Sequence, residues 1–374
     1  MNIRNIVIAS DSFKGTLSSL EICHLFKEEI KNTNINATYI PIADGGEGSL
    51  DAVATILKGR YIDVEVNDLY FQKIKTHFYI DENNNAYIET ASSSGLTLAK
   101  SNNDPGLTTT YGLGEQIKKA IELGAKNIYM FLGGSATNDG GVGLASALGT
   151  KFFNKDNEIF IPTGLTLKDI VHIDNKDTLK ILNNVKVFAL VDVSSPLYGK
   201  EGAAYKFSPQ KGASKEEVVL LDEGLIHLAS IIKNDLGIEV KDVPGLGAAG
   251  GLGGGLYSFL NAKISSGINT LLDLIDFNSI ISQNDLIISG EGKLDLQTYD
   301  GKVIDGISKR CIKMNKPLDL IVGISTISKE EVIKRYPCIR NIYETNYQHL
   351  PFEEVKARAK EDYIYQIKRL LENL

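Results

Sequence analysis

Short apolar runs and stretches with helical periodicity alternate at both ends of this chain, while the middle follows another rhythm. Residues 6–9, Ile-Val-Ile-Ala, form the continuous apolar run that a strand covered on both faces needs. Ser18-Ser19-Leu20-Glu21 then reads as a capping box, and Ile22, Leu25, Phe26 and Ile30 continue it as an amphipathic helix. A second strand is predicted at 39–42, and a helix through Leu50, Val53, Ala54 and Leu57. This βαβα order predicts a parallel sheet with helices on both faces. The rhythm returns after residue 285. Strands are predicted at 286–288 and 320–322, with helices through Val303, Ile307 and Cys311 and after Ser328. A terminal amphipathic helix is predicted with Pro351 at its first position.

Between these ends Ile62, Val64 and Val66 alternate, and 73–80 and 86–89 flank the run Asp81-Glu82-Asn83-Asn84-Asn85. That run lacks the glycine and the closing glutamate of a calcium loop, since Ala86 and Ser92 stand there; it predicts a hairpin turn. Residues 111–123 read as a helix stopped by Gly124, 128–132 as a strand, and 154–157 as another turn. Residues 185–191 read as a buried strand ending at Asp192, and Ser214-Lys215-Glu216-Glu217 opens a long helix. The expected fold class is therefore α/β in two domains. Residues 1–64 plus 285–374 form a discontinuous, three-layer Rossmann- or flavodoxin-like domain, and residues 65–284 an inserted mixed α/β domain with glycine-rich loops.

A length of 374 residues suits two domains. With 47 acidic against 40 basic residues the net charge is −7, which offers no attraction to a nucleic-acid backbone or an anionic membrane. No stretch approaches the roughly 18 apolar residues of a membrane span. Three cysteines without a C-x-x-C pair exclude a disulfide scaffold and a thiolate zinc site, and fit the cytoplasm. The 35 glycines are clustered, and their clusters carry the chemistry.

Five segments set Asp, Glu, Lys or Ser beside glycine or at a strand end: Asp11-Ser12-Phe13-Lys14, residues 43–48, residues 133–141, Asp192, and residues 290–295. Each alone suits an ordinary turn or helix cap. Together they supply backbone N–H groups for an anion, carboxylates for Mg2+ or a proton, and lysines for phosphate. Those are the parts of phosphoryl transfer to a small hydroxyl. There is no P-loop string, no protein-kinase set and no G-x-S-x-G. His24, His77, His172, His227 and His349 all lie outside the glycine loops, which argues against triad or His-metal chemistry. Residues 245–250 match G-x-G-x-x-G but follow Asp242-Val243-Pro244 rather than a buried strand, so a flexible loop or phosphate nest is expected there.

The loops resemble the class I bacterial glycerate kinase family. The resemblance rests on I-V-I-A-S-D-S-F-K-G-T-L-S at 6–18, P-I-A-D-G-G-E-G-S at 41–49, T-T-T-Y-G-L-G-E at 108–115 and G-G-S-A-T-N-D-G-G-V-G at 133–143. S-P-Q-K-G-A at 208–213, P-G-L-G-A-A-G-G-L-G-G-G-L at 244–256 and S-G-E-G-K-L-D-L-Q-T at 289–298 complete it, in family order. The chain departs from the family pattern at Ser10, where a proline is usual. It departs again at Val191-Asp192-Val193-Ser194-Ser195-Pro196-Leu197, where a cysteine and an asparagine are lost, and around Val322-Gly323-Ile324-Ser325.

The resemblance implies ATP and D-glycerate as substrates, Mg2+ as cofactor, and the 2-position as phosphate acceptor. Asp192, at a strand end where burial raises a carboxyl pKa, is the first choice for general base, and Asp44 the second. Asp11, Ser12 and Lys14, with Gly45, Gly46 and Glu47, are assigned to glycerate. Gly133, Gly134, Ser135, Asn138, Gly140, Gly250 and Gly251, with Lys211 and Lys293, are assigned to the nucleotide phosphates. Asp139, Glu291 and Asp295 are assigned to Mg2+. A 3-phosphoglycerate-forming kinase, a non-catalytic sugar-acid or nucleotide sensor and a nicotinamide dehydrogenase are the rival readings, and a homodimer is left open.

Overall fold

The computed structural model describes residues 3–42 and 48–374. Asp44, Gly45, Gly46 and Glu47, all expected at the site, lie outside the described residues. Contacts divide the chain into two compact units. One comprises residues 1–44, 51–57 and 268–374, the other 45–50 and 58–267.

The sheet of unit one runs, in spatial order, Asn36–Tyr39, Asn5–Ile8, Leu286–Ser289, Leu318–Val322 and Ile339–Glu344, and every pairing is parallel. Counted along the chain this is the order 2-1-3-4-5 of flavodoxin-like sheets. Ile6, Val7 and Ile8 are fully buried, as both-face coverage requires. The helix Ser19–Ile30 starts where the capping box predicted: Glu21 N–H donates to Ser18 Oγ at 3.2 Å, and Ser18 N–H to the Glu21 carboxylate at 3.0 Å. Such a cap is worth about 0.5–2 kcal/mol. Ile22, Phe26 and Ile30 share a core with Tyr363, Ile367 and Leu370 of the terminal helix Phe352–Glu372. Pro351 is not the first helical residue. Its ψ of 153° is extended, and it serves as N-cap, with its carbonyl accepting from Glu354 N–H at 3.0 Å.

The sheet of unit two runs Lys263–Ser266, Lys186–Val191, Asn127–Phe131, Asn85–Glu89, Lys73–Asp81 and Gly59–Asn67. The first four strands are parallel and the last two join antiparallel. The expected boundaries after 64 and before 285 therefore shift. Residues 59–67 pair with Lys73–Asp81 along their whole length, and residues 268–284 pack with unit one. Asp81 Oδ1 accepts from Asn83 N–H at 2.8 Å and Asn85 N–H at 2.9 Å, so the Asp/Asn run is a turn.

The glycine-rich stretch after 245 is not a flexible loop. It forms the helix Ala248–Leu260, with Ala249, Gly250 and Gly251 in left-handed conformations inside it. Residues 238–244 form no strand, so the dinucleotide reading has no footing. Gly250 has φ 71°, and a Cβ there would sit 2.0 Å from the Thr137 carbonyl oxygen. Gly140 N–H donates to the Gly250 carbonyl at 3.1 Å. Glycine here lets the helix backbone touch the backbone of the 133–143 loop.

Candidate active site

In unit one the chain runs from the strand Asn5–Ile8 to a neighbour on one side, and the next strand of the sheet, Leu286–Ser289, joins on the other. The carboxyl ends of these two strands flank the point where an open α/β sheet forms its ligand crevice. The loops that follow them meet there: Asp11 N–H donates to the Gly290 carbonyl at 3.0 Å. Asp11 is buried, and its Oδ1 accepts Ser12 N–H at 2.7 Å. Lys14 is exposed.

Across the crevice Glu291 is only 4% exposed, and the Thr298 hydroxyl donates to its Oε1. Thr298 Oγ1 also accepts Asp295 N–H at 3.1 Å. Thr298 thus ties two of the three expected metal carboxylates, Glu291 and Asp295, into one turn. Asp295 itself caps a short 3₁₀ turn, accepting Gln297 N–H at 3.0 Å, and pairs with Lys293 at 3.2 Å. Partial burial pushes its carboxyl up, but Lys293 and the Gln297 N–H outweigh this and hold it below the usual value. Lys293 is exposed and committed to that pair.

In unit two the loop after Asn127–Phe131 and the residue after Lys186–Val191 lie at the same end of the parallel sheet. These are residues 133–141 and Asp192. Gly133 and Gly134 are its accessible members. Gly95 bridges Ser135, and Ala136 N–H donates to the Ser94 carbonyl at 2.8 Å, so the loop is stitched to the 94–96 segment. Asn138 is fully buried, and neither atom of its amide group has a hydrogen-bond partner.

Two residues assigned to ligands are built into the scaffold instead. Asp139 is fully buried and accepts four hydrogen bonds: from Thr110 N–H and hydroxyl at 2.8 Å each, Gly141 N–H at 3.0 Å and Gly143 N–H at 3.2 Å. Burial pushes its carboxyl up against the pull of those donors. Lys211 is 3% exposed and donates to Ser135 Oγ at 2.7 Å and to the Thr137 carbonyl at 2.8 Å. Burial lowers its pKa to about 7, opposed by the charge of Asp139. Gly250 and Gly251 are buried against the loop rather than open to a phosphate. Among the described residues no three His, Cys, Asp or Glu gather to hold a metal ion.

Sequence reasoning missed Thr110, Thr298 and Asn103. The Asn103 amide group donates to the carbonyls of Lys211 at 2.7 Å and Ala136 at 3.1 Å, clamping the lysine loop to the glycine loop. Thr110 and Thr298 lie within motif strings, at 108–115 and 289–298, but hydroxyl side chains there gave no separate signal.

These features define an α/β protein with acid- and glycine-bearing loops at the carboxyl ends of parallel strands in each of its two main sheets. The family model described as the glycerate kinase family matches residues 6–373, and the chain belongs to that family. It is 41% identical to a glycerate kinase of Bacillus cereus, over 85% of this chain and 84% of that one. It is 39% identical to the glycerate 2-kinase of Escherichia coli K12, over 86% and 85%. A crystal structure of a candidate glycerate kinase 2 from Salmonella typhimurium LT2 superposes with a TM-score of 0.84 at 33% identity, covering 100% of this chain and 98% of the other.

Proposed function

We propose that this chain is an ATP-dependent glycerate kinase that phosphorylates D-glycerate at the 2-hydroxyl, releasing 2-phosphoglycerate and ADP. The observation that carries the reading is the likeness to the Escherichia coli glycerate 2-kinase over 86% of the chain. The acid-bearing loops support it, because they follow parallel strands where ligands of open sheets collect. Asp192 is the proposed base for the attacking hydroxyl, with Asp44 as the second choice. Ser12 and the buried Asp11 are proposed for glycerate, and the sequence reading adds Gly45, Gly46 and Glu47. Gly133 and Gly134 present backbone to the phosphates, and Lys211 holds their loop rather than meeting the anion.

Mg2+ commonly sits on one or two carboxylates plus substrate phosphates and keeps several waters. Glu291 fits that demand, because its carboxylate is buried beside the crevice and positioned by Thr298. Asp139 does not fit, since four donors already surround it. The ion would neutralise charge on the transferring phosphoryl group. No helix among the described residues is long and apolar enough to cross a membrane, and Cys23, Cys311 and Cys338 are free thiols.

Phosphorus NMR of a reaction with ATP, Mg2+ and D-glycerate tests activity and regiochemistry together. A 2-phosphoglycerate resonance is expected. A 3-phosphoglycerate resonance overturns the position, and ATP left intact overturns the activity.

A further inference from the structure

Unit one contains a cavity of about 200 Å3 at the carboxyl ends of its strands. Phe13 and Leu17 line it from the segment after the first strand, Ile324 from the segment after Leu318–Val322, and Phe352 and Val355 from the start of the terminal helix. Its polar side chains are Lys14, Thr16, Thr345, Asn346 and Asp362, and the two threonine hydroxyls donate to backbone carbonyls, Thr16 to Phe13 at 2.8 Å and Thr345 to Gly323 at 3.4 Å. The Asn346 amide is spent within its own loop, donating to the Leu350 carbonyl at 3.1 Å and accepting Leu350 N–H at 2.8 Å. Asp362 is largely buried, and its Oδ1 accepts from Arg358 at 2.9 Å. Lys14 and Phe352 are the exposed members of the lining.

We propose that this cavity takes the adenine ring of the nucleotide, with the Asp362 carboxylate accepting from the 6-amino group. The inference rests on the kinase reading and assigns the place of the base. Glycerate suits the cavity poorly. It carries a carboxylate and two hydroxyls, and apolar walls with a buried carboxylate reward neither. A flat heteroaromatic ring gains from apolar burial and asks for one or two edge contacts. An ionised carboxylate only accepts hydrogen bonds, through two oxygens, and the Arg358 bond occupies a lone pair on one of them. Adenine presents a donor at its 6-position, whereas guanine presents an acceptor there. Asp362 therefore favours ATP over GTP. The phosphates leave on the exposed side, past Lys14, which moves that lysine from a glycerate contact to a phosphate contact.

Two variants test this, with ADP binding measured by calorimetry in the absence of glycerate. Ala359→Phe fills the cavity from a half-buried position on the terminal helix. It should raise the ADP Kd and the ATP KM at least tenfold, leaving the glycerate KM within twofold. Asp362→Asn should cut the preference for ATP over GTP about tenfold, and it stands as the test if the larger side chain disturbs folding. An ADP Kd unchanged within twofold in both variants, or a rise in glycerate KM alone, overturns the assignment. A wild-type chain that binds ADP but phosphorylates no glycerate counts against the proposed function and leaves the base site intact.

Discussion

Lys211 Nζ donates to Ser135 Oγ at 2.7 Å across 76 residues of sequence. With its second bond, to the Thr137 carbonyl, the lysine pins both ends of the segment 135–137 from below. A neutral amine has two N–H groups, and this side chain makes two donations. The arrangement agrees with a pKa lowered to about 7, because a buried ammonium would carry a third N–H in need of an acceptor.

The pH dependence of stability follows from that shift. Between about 7 and the ordinary 10.5 the unfolded chain holds a proton that the folded chain has released. The unfolded state binds more protons, so stability rises with pH across that window, by up to about 1.4 kcal/mol per unit. Below the folded value both states are protonated and the slope vanishes. Lys211→Met should be less stable than the wild type at pH 9 by a wider margin than at pH 7. Parallel melting curves across that range would show that Lys211 is charged in the folded protein.

Glu291→Gln should keep the fold, since an amide oxygen still accepts from Thr298. Turnover should fall tenfold or more, about 1.4 kcal/mol in the barrier. Thr298→Val should lower kcat by a smaller factor and raise the Mg2+ requirement, because the carboxylate keeps its charge and loses the Thr298 hydroxyl donor. If Glu291→Gln works within twofold of the wild type, the residue is a turn carboxylate.

Asp192→Asn preserves size and removes the proton acceptor. For a general base, kcat should drop about 10²- to 10⁴-fold with the glycerate KM less affected. A loose transition state needs the base late, which favours the lower end. Rescue by excess Mg2+ or by Mn2+ would make Asp192 a metal ligand instead. A lower Tm with unchanged kcat would make it a cap.

Gly134 and Gly250 both have positive φ but should respond differently to alanine. At Gly134, φ 66°, a new Cβ meets only the Ala91 side chain at 3.5 Å, an ordinary contact. Gly134→Ala should cost about 1 kcal/mol for the left-handed backbone alone. At Gly250 the same methyl group collides with the Thr137 carbonyl, so Gly250→Ala should lose at least about 2 kcal/mol more. Denaturant titration of both variants measures the difference, and equal losses would contradict the contact.

Much of this architecture is legible in the pattern of apolar residues. The strand Asn5–Ile8 and the capped helices at Ser18, Ser214 and Ser328 stand close to where periodicity and cap chemistry put them. Several elements escaped, among them the helices Gly267–Leu274 and Phe277–Ser282, and three show why. The strand Ile339–Glu344 lies at the sheet edge, and Lys263–Ser266 is short, partly exposed and also at an edge, so neither carries a strong apolar run. The helix Ala248–Leu260 is so glycine-rich that local propensity speaks against it, and contact with the 133–143 loop overrides propensity. At the site, sequence located the loops but not the direction of their side chains. Asp139 turns inward because Thr110, 29 residues earlier, supplies two donors, and spacing along the chain holds no record of that. Lys211 is buried for the same kind of reason.

The strand Asn5–Ile8 sits between Asn36–Tyr39, close behind it in sequence, and Leu286–Ser289, some 280 residues later. During synthesis the earliest strand therefore waits for its second neighbour, about 15–60 s at roughly 5–20 residues per second. Through that interval Ile6, Val7 and Ile8 belong to a two-stranded ribbon with an open edge, while all of unit two emerges and can close on itself. Only when Leu286–Ser289 arrives does that edge find the partner it has in the finished sheet.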